Sequence, residues 1–298
     1  MQLTRRNFSK IMGSAFTASM FAYSGLATAA AKKSADALTD KLIEIEKQLG
    51  ARLGVAIVDT ATGRQWLHRS DERFPMCSTV KMLACGAVLA RVDAGKEALN
   101  RHIQFDASNL IAHSPVTEKY AGNEGMTLAE ICEAAITQSD NTAANIILQS
   151  LGGPIGVTEF ARSIGDSITQ LDRIETELNE ATPGDARDTT TPNAMTANLQ
   201  TLVLGNKLSE KSREQLKNWL IANKTGDAKL RAGLPKGWMI GDKTGAGGYG
   251  TVNDIAVIWP TNRKPVIVSI YITETKASFE DCNAAIAEIG RALKSVLR

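Results

Sequence analysis

The chain has 298 residues, with 34 Lys and Arg against 32 Asp and Glu, and 43% of it is hydrophobic. That length supplies an ample core without staples, and 24 glycines spread through a mixed composition exclude fibrous and disordered classes. A formal charge of +2 lacks the clustered basic excess of a nucleic-acid protein, so no nucleic-acid partner is expected.

Residues 1–31 hold three bases, Arg5, Arg6 and Lys10, and no acid. The uncharged stretch from Ile11 to Ala31 is only mildly apolar, too weak for a stable membrane anchor. Ala27-Thr28-Ala29 and Ala29-Ala30-Ala31 offer small-residue cleavage sites. The run Thr4-Arg5-Arg6-Asn7-Phe8 resembles a twin-arginine export signal. We expect 1–31 to be a cleaved leader and the mature protein to be periplasmic or secreted. Losing three bases and no acids takes the formal charge from +2 to −1.

Leu38, Leu42, Ile45 and Leu49 recur at helical spacing and predict an amphipathic helix over 35–49. Leu53–Asp59 and Arg64–Arg69 flank Ala61-Thr62-Gly63, a hairpin signal. Residues 78–222 read mostly as helices separated by Gly, Pro and Asn. Strand-like runs return at Trp238–Asp242, Asp254–Trp259 and Pro265–Thr273, and Ile286, Ile289, Leu293 and Val296 stripe a closing helix. Short connections such as Pro260–Lys264 favour antiparallel neighbours. The expected class is α+β: an antiparallel sheet from both chain ends, flanked by helices, with an all-helical subdomain inserted. In residue terms, 32–69 and 222–298 form one subdomain and 70–221 the other. Small-molecule sites favour such junctions.

Ser78 to Ala90 carries one charge, Lys81, so its helix is predicted to be buried. Ser78 and Lys81 are three apart and share a face. Burial lowers a lysine's pKa and turns an inert ammonium into a possible base, and a serine hydroxyl needs such a partner before it attacks a carbonyl. Ser78 as a plain helix cap and Lys81 snorkelling to solvent is the bland reading of so short a pattern. Ser139-Asp140-Asn141 after the helix-like Leu128–Thr137, and Lys243-Thr244-Gly245 after the strand Trp238–Asp242, weigh against it. S-x-x-K, S-D-N and K-T-G in that order form the motif set of class A β-lactamases and penicillin-binding proteins.

From about Ala35 onward the chain resembles a class A serine β-lactamase. Arg173-Ile174-Glu175-Thr176-Glu177-Leu178-Asn179 is similar to that family's omega loop. Met76-Cys77-Ser78-Thr79 and Gly247–Thr251 look closest to the cefotaxime-hydrolysing, extended-spectrum branch. The resemblance implies that Ser78 attacks the lactam carbonyl, with Lys81, or Glu175 through a water, taking its proton. Ser139 would relay a proton to the leaving nitrogen. The backbone N–H groups of Ser78 and Ala246 would form the oxyanion hole, a donor worth about 3–4 kcal/mol in comparable sites. Lys243 and Thr244 would hold the substrate carboxylate, Gly245 would let the strand approach the ligand, and Asn141 would contact the acylamide side chain. Penicillins and cephalosporins are the implied substrates, and a monomer the implied state.

Glu175 with Asn179 separates this reading from a penicillin-binding peptidase, which stays acylated for want of a base that activates water; a β-lactam sensor, which also stays acylated, is normally tied to a membrane segment, and none is expected after residue 31. By resemblance Arg173 and Asp188 pair to close the loop. Thr176 stands where many members carry a proline after a cis bond, and the Glu175–Thr176 bond is expected to be cis. Val252 replaces an arginine that assists carboxylate binding, and Lys229 is the candidate substitute, against the bland reading of an exposed surface lysine. His113 stands where most members place an aromatic residue. Cys85 and Cys132 match positions some members join by a disulfide, which export would permit; Cys77 would then be free and Cys282 packed. Gly245–Gly250 spells G-x-G-x-x-G, but a strand rather than a helix follows, so no dinucleotide site is expected. Three scattered histidines, His68, His102 and His113, do not suggest a zinc site. No cofactor is implied.

Overall fold

The computed structural model describes residues 37–297; the leader expected over 1–31 lies outside the described residues. Helix α1 spans 37–49 and buries Leu38, Leu42 and Ile45, the stripe its sequence period predicts. The chain then forms the hairpin β1 (Arg52–Asp59) and β2 (Gln65–His68), and β3 (Phe74–Pro75) leads into a tight turn at Cys77–Thr79 and helix α2 (Val80–Asp93). Next come β4 (His102–Ile103), β5 (Met126–Thr127), α3 (Leu128–Thr137), α4 (Asn141–Ser150) and α5 (Pro154–Ser163). An irregular loop then reaches β6 (Thr189–Thr190), followed by α6 (Pro192–Leu199), α7 (Glu210–Ile221) and the short α8 (Leu230–Gly233). Strands β7 (Met239–Gly247), β8 (Thr251–Trp259) and β9 (Val266–Thr273) and helix α9 (Phe279–Val296) close the chain.

The five long strands form one antiparallel sheet in the order β2-β1-β9-β8-β7. Its central strand β9 is buried on both faces, which is why its sequence is a continuous apolar run instead of an alternating one. Val266, Val268, Ile270 and Ile272 of β9 pack with α1 and α9, while Ile267 and Tyr271 join the core shared with α2, α3 and α4. Helix α9 starts at a reciprocal cap between Ser278 and Asp281 and buries Cys282, Ile286, Ile289 and Leu293. The fold is therefore α+β, with the sheet built from both ends of the chain.

Two expectations need correction. Lys243-Thr244-Gly245 does not follow a strand but lies within one: they pair with Ile255, Asp254 and Asn253 of β8. Buried polar side chains at Asp242, Lys243 and Thr244 erase the apolar signal there. The inserted region is not purely helical either, because β3 pairs with β6 and β4 with β5. The first of these ribbons ties the segment before Ser78 to the end of the irregular loop.

Candidate active site

Three pieces of chain converge on Ser78. Ser78 lies in the Cys77–Thr79 turn that opens α2, so it sits at the positive end of that helix. Lys81 follows one turn later, wholly buried. The turn between α3 and α4 brings Ser139 and Asn141, and Asp140 braces it by accepting from Val116 N, Thr117 N, Thr117 Oγ1 and Ala143 N. Edge strand β7 brings Lys243 to Ala246. A Cβ at Gly245 would lie 2.8 Å from Met76 O, so only glycine allows the strand so close to the turn that carries Ser78. Cys77 and Ser139 both have left-handed backbone, φ 46° and 57°, conformations that cost about 1–3 kcal/mol each and cluster at functional sites.

Lys81 Nζ is the hub. It lies 2.8 Å from Ser78 Oγ, 2.7 Å from Asn141 Oδ1, 2.9 Å from Ser139 O and 2.9 Å from Glu175 Oε1. Four acceptors within 3 Å exceed the three protons of an ammonium, so Ser78 is a partner that can donate to Lys81 as readily as accept from it. Burial lowers the Lys81 pKa, and the Glu175 charge opposes that shift. Glu175 Oε1 also accepts from Ser78 Oγ at 3.4 Å, and Glu175 Oε2 accepts from Asn179 Nδ2 at 2.5 Å. On the far side Lys243 Nζ donates to Ser139 Oγ at 3.1 Å and to Thr244 O at 2.9 Å. Burial, followed by the Lys81 charge, pushes the Lys243 pKa down to about 7.

The Glu175 loop is held from several directions. Its bond to Thr176 is cis, as expected. Arg173 Nε donates to Asp188 Oδ2 at 2.6 Å, and Asp188 Oδ1 accepts from Asp172 N and Arg173 N. Met76 N donates to Asp188 O at 3.0 Å, which joins the loop's base to the segment carrying Ser78.

Ser78, Ser139, Asn141, Asn179, Thr244, Gly245 and Ala246 line one cleft of about 320 Å³ with His113, Thr225, Lys229 and Phe279. The sequence-predicted residues therefore come together, with Lys81, Glu175 and Lys243 buried beneath its floor. Asn141 is engaged at both ends inside the protein, by Lys81 and by Ala112 O.

A β-lactamase enzyme family model matches residues 37–297. The chain belongs to the class A β-lactamases. It is 49% identical to β-lactamase AER-1 of Aeromonas hydrophila over 87% of this chain and 86% of that one. It is 51% identical to β-lactamase CTX-M-8 of Citrobacter amalonaticus over 86% of this chain and 88% of that one. The solved class A β-lactamase of the last common ancestor of Gram-negative bacteria superposes with a TM-score of 0.86 at 60% identity, covering 88% of this chain and all of that one. This β-lactamase is accordingly a serine hydrolase of the lactam amide.

Several features of this β-lactamase escaped the sequence. Asn145 on α4 clamps the Glu175 peptide, donating to its carbonyl at 3.0 Å and accepting from its N–H at 2.9 Å. The only hint was an asparagine inside the otherwise apolar Ala143–Leu148. Thr225 Oγ1 sits 2.6 Å from Thr244 Oγ1 at the cleft wall. Lys229 is not a surface lysine: it is buried, donates to Asn283 Oδ1 and lies 4.5 Å from the centre of the Phe279 ring. Val252 is buried against the α1–α9 side of the sheet. His113 holds the rim by a 3.1 Å contact between Nε2 and Gln138 O. Cys85 and Cys132 do meet, both buried and both as free thiols, with Cys85 Sγ 3.7 Å from Cys132 O. Among the described residues no three His, Cys, Asp or Glu side chains could hold a metal ion, and no helix is long and apolar enough to cross a membrane.

Proposed function

We propose that Ser78 is the nucleophile of this β-lactamase, with Lys81, Ser139 and Glu175 moving protons and Asn141, Asn179, Lys243, Thr244, Gly245 and Ala246 binding substrate. Ser78 Oγ attacks the lactam carbonyl. Its proton has two acceptors in reach, Lys81 Nζ at 2.8 Å and Glu175 Oε1 at 3.4 Å. The oxyanion faces the N–H groups of Ser78 and Ala246. As the C–N bond breaks, Ser139 gives its proton to the ring nitrogen and is resupplied along its contacts with Lys81 and Lys243. Glu175 then takes a proton from water, whose oxygen attacks the acyl carbon; the acyl–Oγ bond breaks and that proton passes to Ser78 Oγ, 3.4 Å from Glu175 Oε1, which restores both groups.

The observation that carries this reading is Glu175. One of its oxygens reaches both Ser78 and Lys81, the other is fixed by Asn179, and its peptide is clamped by Asn145. Asn179 Oδ1, buried and without a partner among the described residues, is a second acceptor suited to the attacking water. The substrate's carboxylate lies against Lys243, Thr244 and Lys229, the last supplying the charge that Val252 lacks. The cleft lies at the junction of 70–221 with the subdomain formed by 32–69 and 222–298. The enzyme acts as a monomer in the periplasm or outside the cell, after twin-arginine export and loss of 1–31.

Acid-quenched enzyme mixed with benzylpenicillin should carry one acyl group on the peptide containing Ser78. Ser78→Ala, with unchanged circular dichroism, should carry none and turn nothing over. Hydrolysis surviving in Ser78→Ala would contradict the assignment.

A further inference from the structure

Directly behind the cleft wall lie two buried acids, Asp242 and Asp254, that the reaction does not use. Asp254 of β8 stands opposite Thr244 of β7 in the antiparallel register, so the two side chains leave the same face of the sheet side by side. Thr244 lines the cleft, and so does Lys229. Asp254 is fully buried; its Oδ2 accepts from Leu230 N at 3.2 Å and its Oδ1 has no hydrogen-bond partner among the described residues. Leu230 opens α8, and the side chain of its N-cap residue, Lys229, turns to Asn283 and makes no capping hydrogen bond to the helix. Asp254 thus caps α8 from across the sheet, at the residue that follows Lys229.

The charges around this pair come from every element packed on it. Asp242 and Lys243 lie on β7, Arg231 on α8, and Cys282 on α9 beside Asn283. Arg231 is already committed to Asp242 through a 2.6 Å contact, and Asn223 donates to the other Asp242 oxygen. Of the acids acting on Lys229, Asp254 acts most strongly and Asp242 second. Burial, aided by the Asp242 charge, holds the Asp254 carboxyl well above the usual carboxylate range, while burial lowers Lys229.

We propose that Asp254 is a positioning residue for the substrate carboxylate: it fixes the start of α8 at Lys229 and supplies the counter-charge that keeps the Lys229 ammonium in the cleft wall. This rests on Lys229 being a carboxylate ligand. The consequence depends on pH. At the acid end Asp254 holds its own proton, and an asparagine there differs little in charge. As pH rises, the Asp254 carboxylate is what keeps Lys229 charged, and an asparagine cannot.

The test compares kcat/KM for benzylpenicillin and for its methyl ester, which lacks the carboxylate, from about pH 5.5 to about pH 9. For Asp254→Asn the loss with benzylpenicillin, relative to the unaltered enzyme, should widen with pH to about tenfold, the size of one charged contact. The loss with the ester should not vary with pH. Adding Lys229→Arg to Asp254→Asn should flatten the benzylpenicillin curve, because a guanidinium stays charged without help. A loss that is the same at every pH for both substrates marks a purely structural role and overturns the proposal, as does no loss at all. Lys229→Met separates the two layers. If it affects ester and acid alike, the carboxylate role of Lys229 fails and the proposal with it; if it affects only the acid while Asp254→Asn is flat in pH, the proposal alone fails. Should Asp254→Asn not fold, Lys229→Arg in the unaltered background decides. Its benzylpenicillin kcat/KM relative to the unaltered enzyme should be flat in pH, and a ratio climbing with pH would overturn the proposal.

Discussion

Lys81 Nζ lies 2.9 Å from Glu175 Oε1, and both side chains are removed from solvent. The two lie beside one serine hydroxyl, and the Glu175 charge acts on the proton affinity of Lys81. Burial lowers the Lys81 pKa while Glu175 pulls it upward. Removing the Glu175 charge must therefore lower Lys81 further and leave more of it neutral at a given pH. In Glu175→Gln, formation of the acyl adduct with benzylpenicillin should start its acid-side rise at a lower pH than in the unaltered enzyme. Quenched-flow mass measurements across pH check this.

Lys243 offers a second pH handle. Its pKa stands at about 7, far below that of a free lysine, because it is buried and faces the Lys81 charge. It is cationic below that value and loses its charge above it, so KM for a carboxylate-bearing penicillin should rise as pH passes through about 7. Replacing it by arginine, which does not titrate in this range, should remove that rise. Steady-state KM across pH reads the difference directly.

Asp188 is 1% exposed and accepts from the Arg173 side chain and from two backbone N–H groups. Asp188→Asn removes the charge and leaves the guanidinium of Arg173 uncompensated on that side. Breaking a buried pair from one side costs about 3 kcal/mol or more. Thermal unfolding should register a lower Tm, and deacylation should slow more than acylation, since the loop it closes carries Glu175.

Asn145 makes two hydrogen bonds to the Glu175 peptide. At about 1 kcal/mol each, Asn145→Ala should cost about 2 kcal/mol of stability. Its kinetic signature should be a fall in kcat with little change in KM, because the lost contacts position Glu175 and touch no part of the cleft lining. Single-turnover deacylation rates would show whether the effect falls on that step.

The parts legible in the sequence are those where burial is written as periodicity. Leu38, Leu42 and Ile45 of α1 and the α9 stripe announced the helices that clothe one face of the sheet, and Leu128–Thr137 matched α3 to the residue. Ser78, Ser139 and Lys243 could be grouped because their short motifs occur in a fixed order, not because anything local says that they meet. The full length of β7 is not legible, since its buried residues include Asp242, Lys243 and Thr244, whose partners come from distant segments. The two-residue ribbon of Phe74–Pro75 with Thr189–Thr190 is too brief to leave a pattern. The burial of Lys229 is not legible for the same reason as the length of β7: a lysine is normally solvated, and only the fold supplies Asn283 and Phe279 as its surroundings.

The most direct test of Glu175 as the deacylating base is time-resolved intact mass of the enzyme with excess benzylpenicillin, run beside Glu175→Ala. The unaltered enzyme should return to its free mass as substrate is consumed, while Glu175→Ala keeps one penicilloyl adduct. An unaltered enzyme that stays acylated, or a Glu175→Ala enzyme that deacylates at the unaltered rate, would contradict the mechanism.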